Sequence, residues 1–243
     1  MERNFIGFPP NTICETNAKI KILENRDDFL AIDKPPNILS ERIMEHLRVS
    51  KRQCAGLGII SPNEVFVLDG KLSGIFLITK TKKSVAELRN FYGSQLFTFT
   101  FDLLTFPTAV GKVIVCDLPI AKHFSNGTMV ISHKTGKKSC TNFQFVENVG
   151  PYEYWRATTH FLRQHQIRLH AHECGIGIIG ENLYASNHIN VTKKFLKTPH
   201  FENHWSMQYL PIHLSCLESK FFQKVECPLP KKFQSLMKLL QKK

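Results

Sequence analysis

The chain has 243 residues, of which 42% are hydrophobic and 21% charged, and 32 Lys+Arg stand against 20 Asp+Glu for a formal net charge of +12. No apolar run approaches the ~18 residues of a membrane span, and the first residues lack the basic and apolar regions of a secretory signal. Seven scattered cysteines, odd in number and without a CxxC pair, argue against a disulfide scaffold or a zinc knuckle, so a soluble protein of a reducing, cytoplasmic compartment is expected. The charge raises affinity for polyanions, with nucleic acid the first candidate and a merely solvated basic surface the alternative.

Residues 1–19 read as irregular, because Pro9-Pro10 interrupts any regular element. Ile20–Leu23 and Phe29–Ile32 flank a polar run and predict a hairpin, which Lys34-Pro35-Pro36 ends. Ser40–Arg48 reads as a helix with Ile43, Met44 and Leu47 on one face. Val65–Leu68 and Ile75–Ile78 are continuous apolar runs of the kind found in strands buried on both faces, joined through Asp69–Gly74. Ser84 with Glu87 resembles a capping box opening a helix that turns Val85, Leu88 and Phe91 inward.

Leu96–Leu104 alternates, with Phe97, Phe99, Phe101 and Leu103 on one face and Thr98, Thr100 and Asp102 on the other. Val113–Cys116, Thr128–Ser132, Ser139–Val146 and Tyr152–Thr159 continue as strands, with Asn126-Gly127 a turn signal. A helix is predicted at about Gln164–Cys174 before Gly175, a strand at Ile212–Cys216, and a basic amphipathic helix at Lys231–Gln241 with Phe233, Leu236, Met237 and Leu240 along one stripe. The order argues for an α+β fold, a mostly antiparallel extended sheet with helices packed on it. No composition shift marks a linker, so residues 20–227 read as one domain between the irregular start and the C-terminal helix, residues 228–243.

Three features could carry chemistry. Asp69 ends an apolar run on a glycine-bearing turn, where a carboxylate is held rigidly; an Asx-turn aspartate satisfying local amides is the plainer alternative. Arg163–His172 packs bonding groups densely, and on helical spacing His165, Arg168 and His172 share a face suited to phosphate or a carboxylate, or simply solvated. Its histidines lack HExxH spacing or a Cys pair, so no metal is expected. Lys34-Pro35-Pro36 either braces a site or only ends a strand.

In this order and spacing the three resemble the RluA-type RNA pseudouridine synthases. Phe29–Ile38 is similar to the family's strand entering Lys-Pro-x-Gly-Leu, Phe66–Leu77 follows its HRLDxxTSGLLL motif in part, and Leu162–His170 with Gly175, Ile178, Gly180-Glu181 and Tyr184 keeps most of its GRTHQIRxH motif. His213-Leu214-Ser215 resembles its late Arg-Leu-Ser strand, and the likeness spans roughly residues 20–217. It implies a pseudouridine synthase-like fold with a central cleft and isomerisation of uridine to pseudouridine in ribosomal or transfer RNA, without cofactor. Asp69 takes the place of the catalytic aspartate, acting on C1′ or on the C2′ proton. Arg168 takes that of its cationic partner, and Leu214 that of an apolar residue near the base.

Thr100, Arg163, His165, Lys34, Lys137 and Lys138 complete the expected substrate contacts, the last two as the basic cluster placed at a turn. A monomer that binds RNA through this domain alone is expected. Phe66-Val67 replace the family's His-Arg, Thr98 and Thr100 stand where its Lys and Tyr would be, and Leu162 and Gln164 replace its Gly and Thr. A relative that binds RNA or a ribosome precursor without modifying it is therefore the second reading, and an enzyme of this fold acting on another glycosidic substrate the third.

Overall fold

The structure, a computed structural model, describes residues 5–7, 19–124, 128–184 and 210–241. The Asn126-Gly127 turn lies outside them. The chain divides into two compact units, Met1–Phe99 with Leu214–Pro228 and Thr100–His213 with Leu229–Lys243. The division falls inside two strands, which is why no linker composition marks it.

In the first unit, β1 (Phe5–Gly7), β2 (Lys19–Asn25), β3 (Phe29–Lys34) and β5 (Ser73–Thr79) lie side by side in that order. Each pairs with the next antiparallel. Short β4 (Asn63–Glu64) also pairs with β5, antiparallel. The expected β2–β3 hairpin forms and β3 stops at Lys34, but the start of the chain is not wholly irregular. The β1 residue Ile6 is fully buried and pairs with Ile20, so a single apolar side chain suffices to hold three residues in the sheet.

Every residue of β5 is buried, as its apolar run requires. Val65–Leu68, by contrast, is no strand: Val65, Phe66 and Leu68 are buried while Val67 is 55% exposed. Here the apolar run fills a core without joining a ladder, which hydrophobicity alone does not distinguish. Phe66 meets Phe99 edge to face, ring centres 4.9 Å apart, beside Phe76 and Tyr92.

Helix α1 (Ser40–Val49) buries Ile43, Met44 and Leu47 as expected, and α2 (Lys51–Gly56) follows it unforeseen. Helix α3 (Lys82–Gly93) begins earlier than its predicted box. Thr81, not Ser84, is the N-cap, and Thr81 with Ser84 form the reciprocal pair of bonds, leaving Glu87 out. Serine fills the third position as well as glutamate because its hydroxyl reaches back to the Thr81 amide at 3.0 Å.

In the second unit β10 (Thr141–Val149) lies between β7 (Val113–Cys116) and β11 (Tyr152–Thr159), antiparallel to both. A small hairpin, β8 (Ile120–Lys122) with β9 (Met129–Ile131), forms a sheet of its own. Helix α4 spans Gln166–Glu173 and α5 spans Lys231–Gln241. Strands β6 (Phe97–Thr105) and β12 (Ile212–Ser219) begin in one unit and end in the other, and β12 pairs with β13 (Gln223–Glu226). Phenylalanines 97, 99 and 101 are fully buried and alternate with half-buried Thr98 and Thr100, as predicted.

The apolar stripe of α5 is part of the second unit's core: Phe233, Leu236 and Leu240 pack with Leu104, Phe106, Val149, Tyr152, Tyr154 and Ile179, and Met237 lies against them. This close docking fixes the β10–β11 loop. Gly150 sits at its first central position with φ 61°, and a Cβ there would lie 2.1 Å from the Leu240 carbonyl oxygen. Gly150→Ala is therefore expected to cost at least ~2 kcal/mol in urea unfolding, because both the backbone and the helix end must shift.

Candidate active site

Asp69 stands at the head of a tight turn in the first unit, half-buried. The Leu72 amide donates to its carbonyl oxygen at 3.0 Å and the Lys71 amide to its Oδ1 at 2.9 Å. The local Asx bond foreseen as the plainer reading is thus present.

Lys34 holds this turn from below. Its ammonium has no exposed surface and donates to the carbonyls of Ile38 at 2.8 Å, Leu72 at 2.7 Å, Pro35 at 3.1 Å and Gly70 at 3.3 Å. One cation therefore ties residues 35–38 to the turn just after Asp69. Ser40 donates its hydroxyl to the Leu68 carbonyl at 2.8 Å, and Leu39 closes over Gly70, where a Cβ would meet Leu39 Cδ2 at 2.7 Å. Burial pushes the Lys34 ammonium down to about 7, against the pull of the negative charges on Asp69, Glu41 and Asp33. Lys34 was expected to touch substrate. It is instead fully buried on backbone carbonyls, as the bracing alternative has it.

In the second unit α4 is buried over Gln166–Ala171, which corrects the expectation of an open polar face. Arg168 is 2% exposed and forms a two-pronged ion pair with Glu181, Nε to Oε2 at 2.6 Å and Nη2 to Oε1 at 2.9 Å. Glu181 also accepts the Leu183 amide at 2.7 Å. Burial works against the Glu181 carboxylate, but hydrogen bonds and charge from Arg168 outweigh it and hold its pKa below the ordinary value.

His170 is fully buried; Thr141 Oγ1 lies 2.9 Å from its Nδ1 and the Leu118 carbonyl 2.9 Å from its Nε2, and burial lowers its pKa. Gln166 reaches Thr141 and Thr159 at 3.0 Å, so α4 is bonded to β10 and β11 through its polar side chains. His165 stands ahead of the helix in the left-handed region with φ 55°, and its Nδ1 lies 2.6 Å from Tyr184 Oη. That hydroxyl accepts the Met129 amide at 3.1 Å, tethering β9 to the start of α4.

Of the other expected contacts, Leu214 is buried in the first unit and its backbone crosses Gly74, whose φ is 117° and whose Cβ would fall 2.2 Å from the Leu214 carbonyl oxygen. It offers no surface to a ligand, because this close strand crossing takes it into the core. Thr100 is half-buried on the face of β6 opposite the phenylalanines. Arg163, half-buried, donates from Nε and Nη2 to the Lys138 carbonyl at 3.4 and 3.3 Å and lies 4.2 Å over Phe161. Lys137 and Lys138 are exposed, Lys137 just past the turn and bridged to Ile120. Ser40, Glu181 and Tyr184 were missed as supporting residues. The last two stood within the quoted motif, but nothing in their spacing announced a partner.

No family model matches the chain. It is 23% identical over 199 residues to the ribosomal large subunit pseudouridine synthase D of Blochmanniella floridana, covering 73% of this chain and 59% of that one. It is 24% identical over 246 residues to the ribosomal large subunit pseudouridine synthase C of Rickettsia conorii, covering 91% and 75%. The chain spans about three-fifths of the length of several curated relatives it matches. Among solved structures, human RNA pseudouridylate synthase domain containing 4 superposes with a TM-score of 0.73 at 16% identity, over 90% of this chain and 92% of that one. Human RNA pseudouridylate synthase domain containing 1 gives 0.64 at 15% identity, over 97% and 98%. The α+β fold is that of pseudouridine synthases, and the likeness to RluA-type enzymes read from three motifs extends through most of the sequence.

Two outcomes follow from these ion placements. The unfolded Lys34 titrates near 10.5 and the folded one near 7, so between those values the unfolded chain holds the extra proton and stability rises with pH. Lys34→Met is expected to abolish that rise, on the order of a few kcal/mol, in urea titrations across the window. Glu181 is shifted the other way. Its contribution is present above the unfolded carboxylate value and is lost as pH falls through the lower folded value, and Glu181→Gln is expected to cost ~3–5 kcal/mol at neutral pH by leaving Arg168 without its buried counter-charge.

Proposed function

We propose that the chain is an RNA pseudouridine synthase, converting uridine to pseudouridine in structured ribosomal or transfer RNA with Asp69 as the catalytic carboxylate. The observation that carries this reading is the immobilised turn at Asp69: an acid in the motif position, its carboxylate bonded by the Lys71 amide, the residues after it held by Lys34 and the one before it by Ser40. The reaction breaks the C1′–N1 bond, turns the uracil, forms C1′–C5 and releases the C5 proton. A single carboxylate can serve it, either by attacking C1′ or by removing the C2′ proton, provided it stays charged in a partly dry site. Lys34 holds the turn from beneath, and Arg168, permanently charged and held by Glu181, is the cation that the resemblance assigns to the aspartate. A uridine in a helix must leave its stack first, at a cost of a few kcal/mol, which basic surface contacts offset. We propose that the protein works as a monomer in the cytoplasm; among the described residues no helix is long and apolar enough to cross a membrane.

A second reading, an RNA-binding relative without activity, is favoured by one feature. Where the family carries His-Arg, Phe66 is buried among aromatic rings and Val67 is exposed, so the arginine is missing from the approach to Asp69.

The two readings part in one experiment. RNA transcripts carrying uridine tritiated at C5 should release tritium over multiple turnovers with RNA in excess, and Asp69→Asn should bring release to background while RNA affinity is kept. Release from the variant at the parent rate removes Asp69 from the chemistry. A parent protein that binds but releases nothing establishes the second reading.

A further inference from the structure

The second unit contains a cavity of about 430 Å³. Its lining includes Lys122 on β8, Lys137 past β9 and Arg163 ahead of α4, with Thr135, Ile120 and Leu162 between them, and no carboxylate among the described residues. The volume lies in the range of ligand-sized clefts.

The walls are built, not accidental. Lys137 exchanges backbone bonds with Ile120 at 3.0 and 2.9 Å. Ahead of it, Gly136 runs so close that a Cβ would lie 2.3 Å from the Ser132 carbonyl oxygen and 2.8 Å from Pro119, so only glycine lets the loop bring Lys137 to the cavity. The Arg163 guanidinium is fixed by the Lys138 carbonyl and by the Phe161 ring. Two residues beyond Lys122, Phe124 is fully exposed, with no cover from the described residues.

We propose that this cavity binds one phosphate-bearing nucleotide of a single-stranded RNA segment, and that Phe124 stacks on a base of the same segment. This rests on the reading of the chain as acting on RNA and assigns part of its grip on the strand to β8–β9. Three cations without an acid select an anion, and apolar lining beside them suits a base or sugar more than an acidic peptide. Phe124 does not line the cavity, so a ligand that engages both must extend past the lining. That favours a strand over a free nucleotide.

The test uses the full chain and a fluorescein-labelled oligouridylate of roughly a dozen nucleotides, a length within the single-strand footprint of small binding domains, read by anisotropy over a range of salt. Lys122→Ala and Lys137→Ala, both on exposed or half-exposed side chains, should each weaken binding several-fold and take about 0.7 from the slope of log affinity against log salt. Phe124→Ala should weaken it about tenfold and leave the slope unchanged. Affinities and slopes equal to the parent's in all three variants overturn the proposal. Displacement of the oligomer by uridine monophosphate at equal nucleotide concentration overturns the strand in favour of a free nucleotide. The tritium assay separates the two claims. A parent without activity whose three variants still lose affinity as described upholds this site and removes the enzyme reading. An active parent with unaffected variants removes this site alone.

Discussion

A buried ammonium organises the first unit's candidate site. Taking a lysine out of water costs several kcal/mol, and each charge-assisted bond to a carbonyl returns roughly 1.5–3 kcal/mol. With four carbonyls around it, Lys34 comes near to balance only if every acceptor keeps its place. That requirement is what converts an irregular stretch, residues 65–72, into a rigid support. It also explains why the lysine sits at the end of a central strand: β3 aims the side chain at the turn, and Gly74 on β5 lets Leu214 pass close behind. A loop secured from the backbone of two segments needs little help from its own side chains, and Val67 and Lys71 are accordingly left to solvent or half-exposed.

The second unit solves a related problem by pairing. Arg168 and Glu181 lie in the interior, where neither charge could stay alone, and their fork geometry uses Nε and Nη2 of the guanidinium on one carboxylate. The pair fixes the stretch after α4 to its middle, while Gln166 and His170 bond the helix to β10 and Tyr184 joins its start to β9. A short helix of mediocre amphipathicity is thereby immobilised on nearly every side. Both solutions use polar groups inside, which stabilise only when complete and so specify one arrangement.

This difference decides what was legible in the sequence. Elements defined by periodicity were read closely: β11, the alternation of β6 and the stripe of α5 follow from side chains that point one way every two residues or every three to four. Asp69 stood out because a carboxylate ending an apolar run on a glycine-bearing turn is held rigidly, whether as an Asx-turn residue or as a catalytic acid. Periodicity failed where burial is carried by irregular backbone, as at Val65–Leu68, or by one side chain, as at Ile6. It failed again at Arg168, since a charged residue on a helix face reads as solvent-facing until its partner, thirteen positions away, is known to be beside it. Lys34 was read both as a brace and as a substrate contact, and only the carbonyls around it favour the brace. Residue type tells what a group can bond, not which backbone oxygens will meet it.

Neither compact unit is continuous in sequence: the first needs Leu214–Pro228 and the second needs Leu229–Lys243. A chain emerging from the ribosome therefore cannot finish either core early, since β12, β13 and α5 arrive last and are shared out between them. Such long-range closure slows folding and leaves apolar edges uncovered during synthesis. A frameshift or stop codon placed before residue 214 would injure both halves at once.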